Sequence, residues 1–233
     1  LLGLPLFLLA CGAGNKATTI PEVTVEETTL DTLTVSAPRE VSAPPPVENY
    51  RLPTYNPSYK RSNDLLHTRL DLRFDWEQQT VIGVAELTLS PLFYPVRSLV
   101  LDAQNFDIHR IRSGKRDLKY DYDQQLLTIE LDREYRSEEQ YRIEIAYTAH
   151  PTKGEIGGSA AIASDQGLFF INHDGSDPEK PMQIWTQGET EYNSRWFPTI
   201  DKPIERSTQE VYLTVKERFQ TLSNGLLVSS KDN

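Results

Sequence analysis

The chain has 233 residues, 38% hydrophobic and 25% charged, enough for one large folded domain or two small ones with a sizeable core. Its formal net charge is −10, and no local cluster of Lys and Arg offsets it, which argues against nucleic acid as a partner. A single Cys excludes a disulfide framework within the chain.

Residues 1–11, LLGLPLFLLAC, form an apolar run too short to span a bilayer, as in the core of a secretory signal peptide. The run ends in Leu8-Leu9-Ala10-Cys11, which resembles the bacterial lipobox, where the Cys is lipidated and becomes the mature N-terminus. Cys11 is therefore the expected lipidation site, tethering the protein to a membrane without crossing it. The localisation this implies is the bacterial cell envelope, at the outer membrane or facing the periplasm. The first residue is Leu rather than Met, and the sequence is read as part of a longer chain.

Residues 12–60 form a Thr/Glu/Pro-rich stretch without an aromatic residue before Tyr50, and 12–49 holds six acids against two bases. Such a composition lacks the apolar surface needed to offset chain entropy, and Pro44-Pro45-Pro46 favours extended polyproline. A disordered tether is expected here, followed by a folded domain over 61–233.

From Asp64 onward the pattern is that of strands. In LLHTRLDLRFDW, Leu66, Leu70, Leu72 and Phe74 alternate with His67, Arg69, Asp71 and Arg73, the signature of a half-buried strand. TVIGVAELTLSP repeats the alternation with Ala85, Leu87 and Leu89, and YRIEIAYTA does so with Tyr141, Ile143, Ile145 and Tyr147. Further strands are expected in SLVLDA, FDIHRI, LLTIELD, GLFFIN, PMQIWTQ, EVYLTVKE and FQTLSNGLLVSS, the last carrying an Asn-Gly hairpin signal. No amphipathic helix precedes residue 190. Many short strands separated by turns predict an all-β fold, an antiparallel sandwich or open barrel-like sheet.

Self-contained chemistry finds little support. The four His, at 67, 109, 150 and 173, never fall within a helical turn of each other, and H-E-x-x-H is absent, so no zinc site is expected within this sequence. There is no G-x-S-x-G elbow, Walker loop or dinucleotide fingerprint. GEIGGSAAI reads as a loop, and NHDGSDPE as a solvated turn rather than a calcium loop. The exception is QIWTQGETEYNSRWFPTIDKP, residues 183–203. Its aromatics could all be core. Gln187 and Glu189 lie two apart, so in an extended segment an amide and a carboxylate would face one spot, as binding an ammonium group requires. A structural pair, such as Glu189 with Arg195, fits the spacing equally well.

The same stretch resembles the signature of zinc aminopeptidases of the aminopeptidase N and leukotriene A4 hydrolase superfamily, where a T-Q-x-E-like segment precedes an Arg-aromatic stretch and then D-x-P. Here these are Thr186-Gln187-Gly188-Glu189, Arg195-Trp196-Phe197-Pro198 and Asp201-Lys202-Pro203. LDLRFDWEQQTVIGVAELTL resembles the opening hairpin of that family, and TLSNGLLVSS its strand pair with an SNG turn. The resemblance, over about 64–230, implies a large saddle-shaped β domain packed against a C-terminal thermolysin-like catalytic domain that binds the zinc. It implies that Gln187 and Glu189 bind the α-amino group of peptide substrates. Trp185, Arg195, Trp196 and Asp201 then support the site structurally, and no catalytic residue or metal ligand belongs to this sequence. The G-x-M-E-N and H-E-x-x-H motifs of the superfamily do not occur here. The alternative is a non-enzymatic β-rich lipoprotein that binds a peptide or glycan through the same cluster.

Overall fold

Successive side chains of a strand point to opposite faces, so alternating apolar and polar residues form strands with one buried side. The computed structural model describes residues 59–154 and 166–231, and within them this rule produces eleven strands and no α-helix. The expected all-β fold is what the structure shows. Cys11 and the tether through residue 58 lie outside the described residues, as does most of the Gly-containing loop 154–162.

The chain opens with a long hairpin of β1 (Asn63–Asp75) and β2 (Thr80–Pro91). The turn between them is closed by the Asp75 carboxylate, which accepts from the Gln78 backbone N–H at 3.0 Å. There follow β3 (Val96–Asp102), β4 (Phe106–Ser113), β5 (Arg116–Asp117) and β6 (Tyr120–Tyr122). After them come β7 (Leu126–Tyr135), β8 (Tyr141–Ala149), β9 (Gly167–Ile171), β10 (Gln183–Gln187) and β11 (Thr208–Thr214). One 3-10 turn, Asn193–Arg195, separates the last two strands.

Six strands form the main sheet in the order β11-β1-β2-β8-β4-β5, three form a second sheet in the order β3-β7-β6, and β9 and β10 pair as a hairpin. Among the described residues no sheet closes into a barrel. A single apolar cluster joins all three: Leu70, Leu72, Leu87 and Ile145 from the main sheet, Leu99, Leu101, Leu127 and Ile129 from the second, and Leu168 and Phe170 from the hairpin. Each such side chain stabilises the fold by roughly 1.5–3 kcal/mol relative to exposure. The Tyr122 hydroxyl ties the two larger sheets together, accepting from the Phe106 N–H at 2.7 Å and donating to the Ala103 carbonyl at 2.8 Å. Burial pushes its pKa up to about 12, so it stays a neutral donor.

Three features depart from the sequence pattern. A β-bulge between Leu65 and His67 shifts the phase of β1, so Leu65 enters the core at 2% exposure while Leu66 is only half-buried. The sheets are antiparallel except at one edge, where β11 pairs parallel to β1 with Leu70 opposite Val211. Alternation sets which face is buried but not the direction of the chain, and the long crossover from β10 to β11 permits a parallel return. Finally, residues 215–231 form no strand, so the expected SNG hairpin is absent there. Leu222, Leu226, Leu227 and Val228 are at least 78% exposed. An Asn-Gly step shapes a turn, but a strand exists only when a neighbouring strand satisfies its backbone groups.

Candidate functional site

The site begins in the β9–β10 hairpin. Leu168 and Phe170 point into the core, and Ile184, opposite Phe170, is half-buried beside them. On the other face Trp185 stacks on its cross-strand partner Phe169, centroids 4.6 Å apart and planes 13° from parallel. This pair stands at the surface, Trp185 being 44% exposed. Gln187 shares its face by the two-residue period and ends the strand opposite Gly167.

Glu189 does not continue the strand. It lies in the turn after Gln187, with a cis peptide bond to Thr190. The expectation of an extended Gln187–Glu189 segment therefore does not hold, because the chain folds back at once. Two glycines permit this. The Gly188 carbonyl accepts from the Tyr192 N–H at 3.0 Å, and a Cβ on Gly188 would sit 2.2 Å from Asn193 Oδ1. Gly167, at φ +71°, approaches the Tyr192 carbonyl so closely that a Cβ would lie 1.9 Å from its oxygen. The 3-10 turn is thereby pressed against the end of the hairpin.

A polar network fixes that turn to the sheets. Asp102 and Thr199 exchange two backbone hydrogen bonds, 2.8 and 3.1 Å, and the Asp102 carboxylate accepts from the Asp201 N–H at 2.9 Å. Asp201 Oδ2 in turn accepts from the Ser194 N–H at 2.8 Å, satisfying a donor at the start of the 3-10 turn. Gln104 reaches the same residue twice, from its backbone N–H to the Ser194 carbonyl at 2.7 Å and from its side-chain amide to Ser194 Oγ at 3.0 Å. The Tyr147 hydroxyl donates to the Trp196 carbonyl at 3.0 Å. Arg195 is 6% exposed and donates from Nη1 to the Lys153 carbonyl at 3.3 Å. Burial raises the Asp201 carboxyl above its ordinary value, the Ser194 bonds pull it down, and Asp102 raises it further. Lys202 is paired with Glu191.

Against this anchored frame Gln187 and Glu189 stand apart. Among the described residues neither side chain has a hydrogen bond or ion pair, and Glu189 is exposed. No ion pair joins Glu189 to Arg195 among them. Trp196 packs edge-on against buried Phe197, centroids 4.4 Å apart, so the two Trp of the motif differ: one faces solvent, the other the frame. A pocket of about 250 Å³ opens beside the turn, lined by Thr190, Asn193, Asp201, Lys202 and Glu205. A larger cleft of about 640 Å³ lies at the far end of the hairpin, between the β1–β2 turn and the β9–β10 loop.

Sequence reasoning did not single out Gly167, Asp102, Gln104 or Tyr147 for the site. Only Gly188 carried a signal, by its place between Gln187 and Glu189. The others lie on β3, β8 and β9 and in the β3–β4 connection, whose association with the turn no local pattern encodes.

The described residues do not fit a zinc ion: no three of His, Cys, Asp and Glu come together to hold a metal. His67 pairs with Thr208 at 2.7 Å on the β1–β11 edge, while His109 pairs with Thr148 at 2.9 Å and His150 with Asp107 at 2.7 Å, side by side on the β4–β8 ladder. The 172–179 turn is closed by the Asn172 side chain, which donates to the Asp177 and Lys180 carbonyls. Its carboxylates serve the turn itself, Asp174 accepting from the Ser176 N–H at 3.1 Å and Asp177 from the Glu179 N–H at 3.0 Å.

Known structures share this fold. The M1 zinc metallopeptidase from Deinococcus radiodurans superposes with a TM-score of 0.60 over 75% of this chain and 37% of its own, at 19% identity. Native leukotriene A4 hydrolase from Saccharomyces cerevisiae superposes with a TM-score of 0.52 over 70% of this chain and 26% of its own, at 18% identity. A curated relative, the transcription initiation factor TFIID subunit 2 of Schizosaccharomyces pombe, is 22% identical over 179 residues, 67% of this chain and 15% of that protein. The chain thus spans well under half the length of each. The sequence model described as the Peptidase M1 N-terminal domain matches residues 54–233, and the chain belongs to that family.

Proposed function

We propose that this domain is the substrate-amine-recognition part of a zinc aminopeptidase that removes N-terminal residues from peptides, working within a longer polypeptide. Gln187 and Glu189 bind the free α-amino group of the substrate, the carboxylate pairing with the ammonium and the amide oxygen accepting a hydrogen bond from one of its N–H groups. The observation that carries this reading is the contrast within one motif. Asp201 and Arg195 are consumed by the frame, while Gln187 and Glu189 lie at its rim with no partner among the described residues. A carboxylate so placed positions the substrate and breaks no bond. Zinc, when bound by a C-terminal catalytic domain, supplies the activated water; this domain contributes recognition. A lipid on Cys11 anchors the protein in a bacterial envelope.

In the full-length protein, Glu189→Ala should lower kcat/KM on an amino-acid anilide by about tenfold or more, the loss expected when the carboxylate of a charge-assisted hydrogen bond to the substrate ammonium is removed. Unchanged kcat/KM would sink the assignment. The 233-residue chain alone should neither hydrolyse such substrates nor bind zinc stoichiometrically, and turnover by the purified chain would overturn the division of labour.

The second reading is a non-enzymatic peptide- or glycan-binding module. It draws on the curated relative named as a transcription initiation factor subunit, since the name of that protein is not that of a peptidase. Binding of a free-amine peptide without any peptidase activity in the full-length protein would favour it.

A further inference from the structure

The β2–β3 loop carries two aromatic side chains that the site does not use. Phe93 is 76% and Tyr94 78% exposed, among the most exposed aromatics of the described residues. The sequence is Pro91-Leu92-Phe93-Tyr94-Pro95, with a Pro on either side of the exposed pair. Each Pro fixes its own φ, so the tip is displayed on a stiff base. Pro91 is buried and pairs with Asn63 across the first hairpin.

The position of the loop gives it a partner. The Leu92 N–H donates to the Ser62 carbonyl at 3.0 Å, so the loop is bonded to the residues through which the N-terminal 58 residues join the domain. Two cations near the loop are paired: Arg61 with Glu205 at 2.7 Å and with Asp64 at 2.8 Å, and Arg97 with Glu134 at 3.1 Å. The chain as a whole is strongly acidic, with a formal net charge of −10. Anionic lipid offers it no attraction, whereas Phe and Tyr partition into the interfacial layer of any bilayer.

We propose that the Phe93–Tyr94 loop inserts into the interfacial layer of the membrane to which the N-terminus is tethered, holding the domain against the bilayer in one orientation. The proposal rests on the tether reading only in that it requires a bilayer within reach. Forty-seven residues, 12–58, lie between Cys11 and the described domain, and attachment through a segment of that length keeps a domain at high local concentration near the surface. Under that condition a shallow insertion too weak to recruit a free protein suffices to orient a tethered one.

The test tethers the full chain independently of native lipidation. The 233-residue protein carries an N-terminal His tag and Cys11→Ser, so that Tyr94→Cys or Gln78→Cys supplies the sole thiol for an environment-sensitive fluorophore. Gln78 is exposed at the opposite end of β2, roughly 35 Å away along the strand. The protein is bound to phosphatidylcholine vesicles containing a nickel-chelating lipid and brominated acyl chains. The probe at 94 should be quenched at least twofold and the probe at 78 should not, and Phe93→Ser should remove the quenching. An unquenched probe at 94 overturns the proposal. So does an emission shift that appears without vesicles and grows with protein concentration, which would make a second copy the occupant. Acylation of Cys11 is read separately, by mass spectrometry of the N-terminal peptide, so failure of the tether reading is distinguished from failure of the loop.

Discussion

Tyr147 lies flat across Gly83, its partner on the neighbouring strand, and a Cβ on that glycine would sit 2.5 Å from the ring. The absent side chain makes room for the ring, which stacks on Phe106 at 5.0 Å and sends its hydroxyl to the Trp196 carbonyl. One small residue in the middle of the main sheet thus determines whether a fully buried tyrosine can hold the site segment. Gly83→Ala should destabilise by about 1–3 kcal/mol through overpacking. Tyr147→Phe, which leaves the Trp196 carbonyl without this donor, should cost about 1–2 kcal/mol. Urea unfolding midpoints of the two variants measure both.

Gly167 and Gly188 make the same kind of approach at the end of the hairpin, but their neighbours differ. The atom facing Gly167 is the backbone carbonyl of Tyr192, whereas Gly188 faces the Asn193 side chain, which can rotate away. Gly167→Ala, strained also by its positive φ, should therefore cost more than Gly188→Ala, by about 1–2 kcal/mol. Equal losses in thermal unfolding would contradict this account of the turn.

Asp201 combines a needed acceptor with an unfavourable buried charge. Its folded carboxyl keeps its proton to higher pH than the unfolded one, so between the two values the folded state binds more protons. Stability from this group is therefore lost as pH rises through that window. Asp201→Asn retains an acceptor for the Ser194 N–H and removes the charge. Its stability relative to wild type should improve as pH rises from about 3 to about 6, spanning the ordinary carboxylate range. Asp201→Ala, with no acceptor, should lose about 1–3 kcal/mol at every pH. Denaturant titrations across that range decide it.

Glu189→Ala should leave the unfolding midpoint within about 0.5 kcal/mol of wild type, because the side chain is exposed and engages nothing among the described residues. Paired with its expected loss of kcat/KM, this separates a recognition residue from a structural one. A large drop in stability would move Glu189 into the frame with Asp201.

What the sequence by itself determined is the set of properties that repeat locally. Alternation in TVIGVAELTLSP and YRIEIAYTA places Ala85, Leu87, Leu89, Ile143, Ile145 and Tyr147 in the core, and all are buried. The T-Q-x-E, Arg-aromatic and D-x-P elements mark the family before any strand is paired. Tertiary structure alone decided the rest. The bulge that exchanges Leu66 for Leu65 depends on register with β2, and the parallel docking of β11 depends on which edge of β1 is free. The site frame depends on Asp102, Gln104 and Tyr147, which lie about 50 to 100 residues from the turn they hold. Side-chain periodicity is a property of neighbouring residues in one strand. Hydrogen bonds between strands distant in sequence form only once the sheets share a core, and those bonds set which members of the motif are consumed and which remain available.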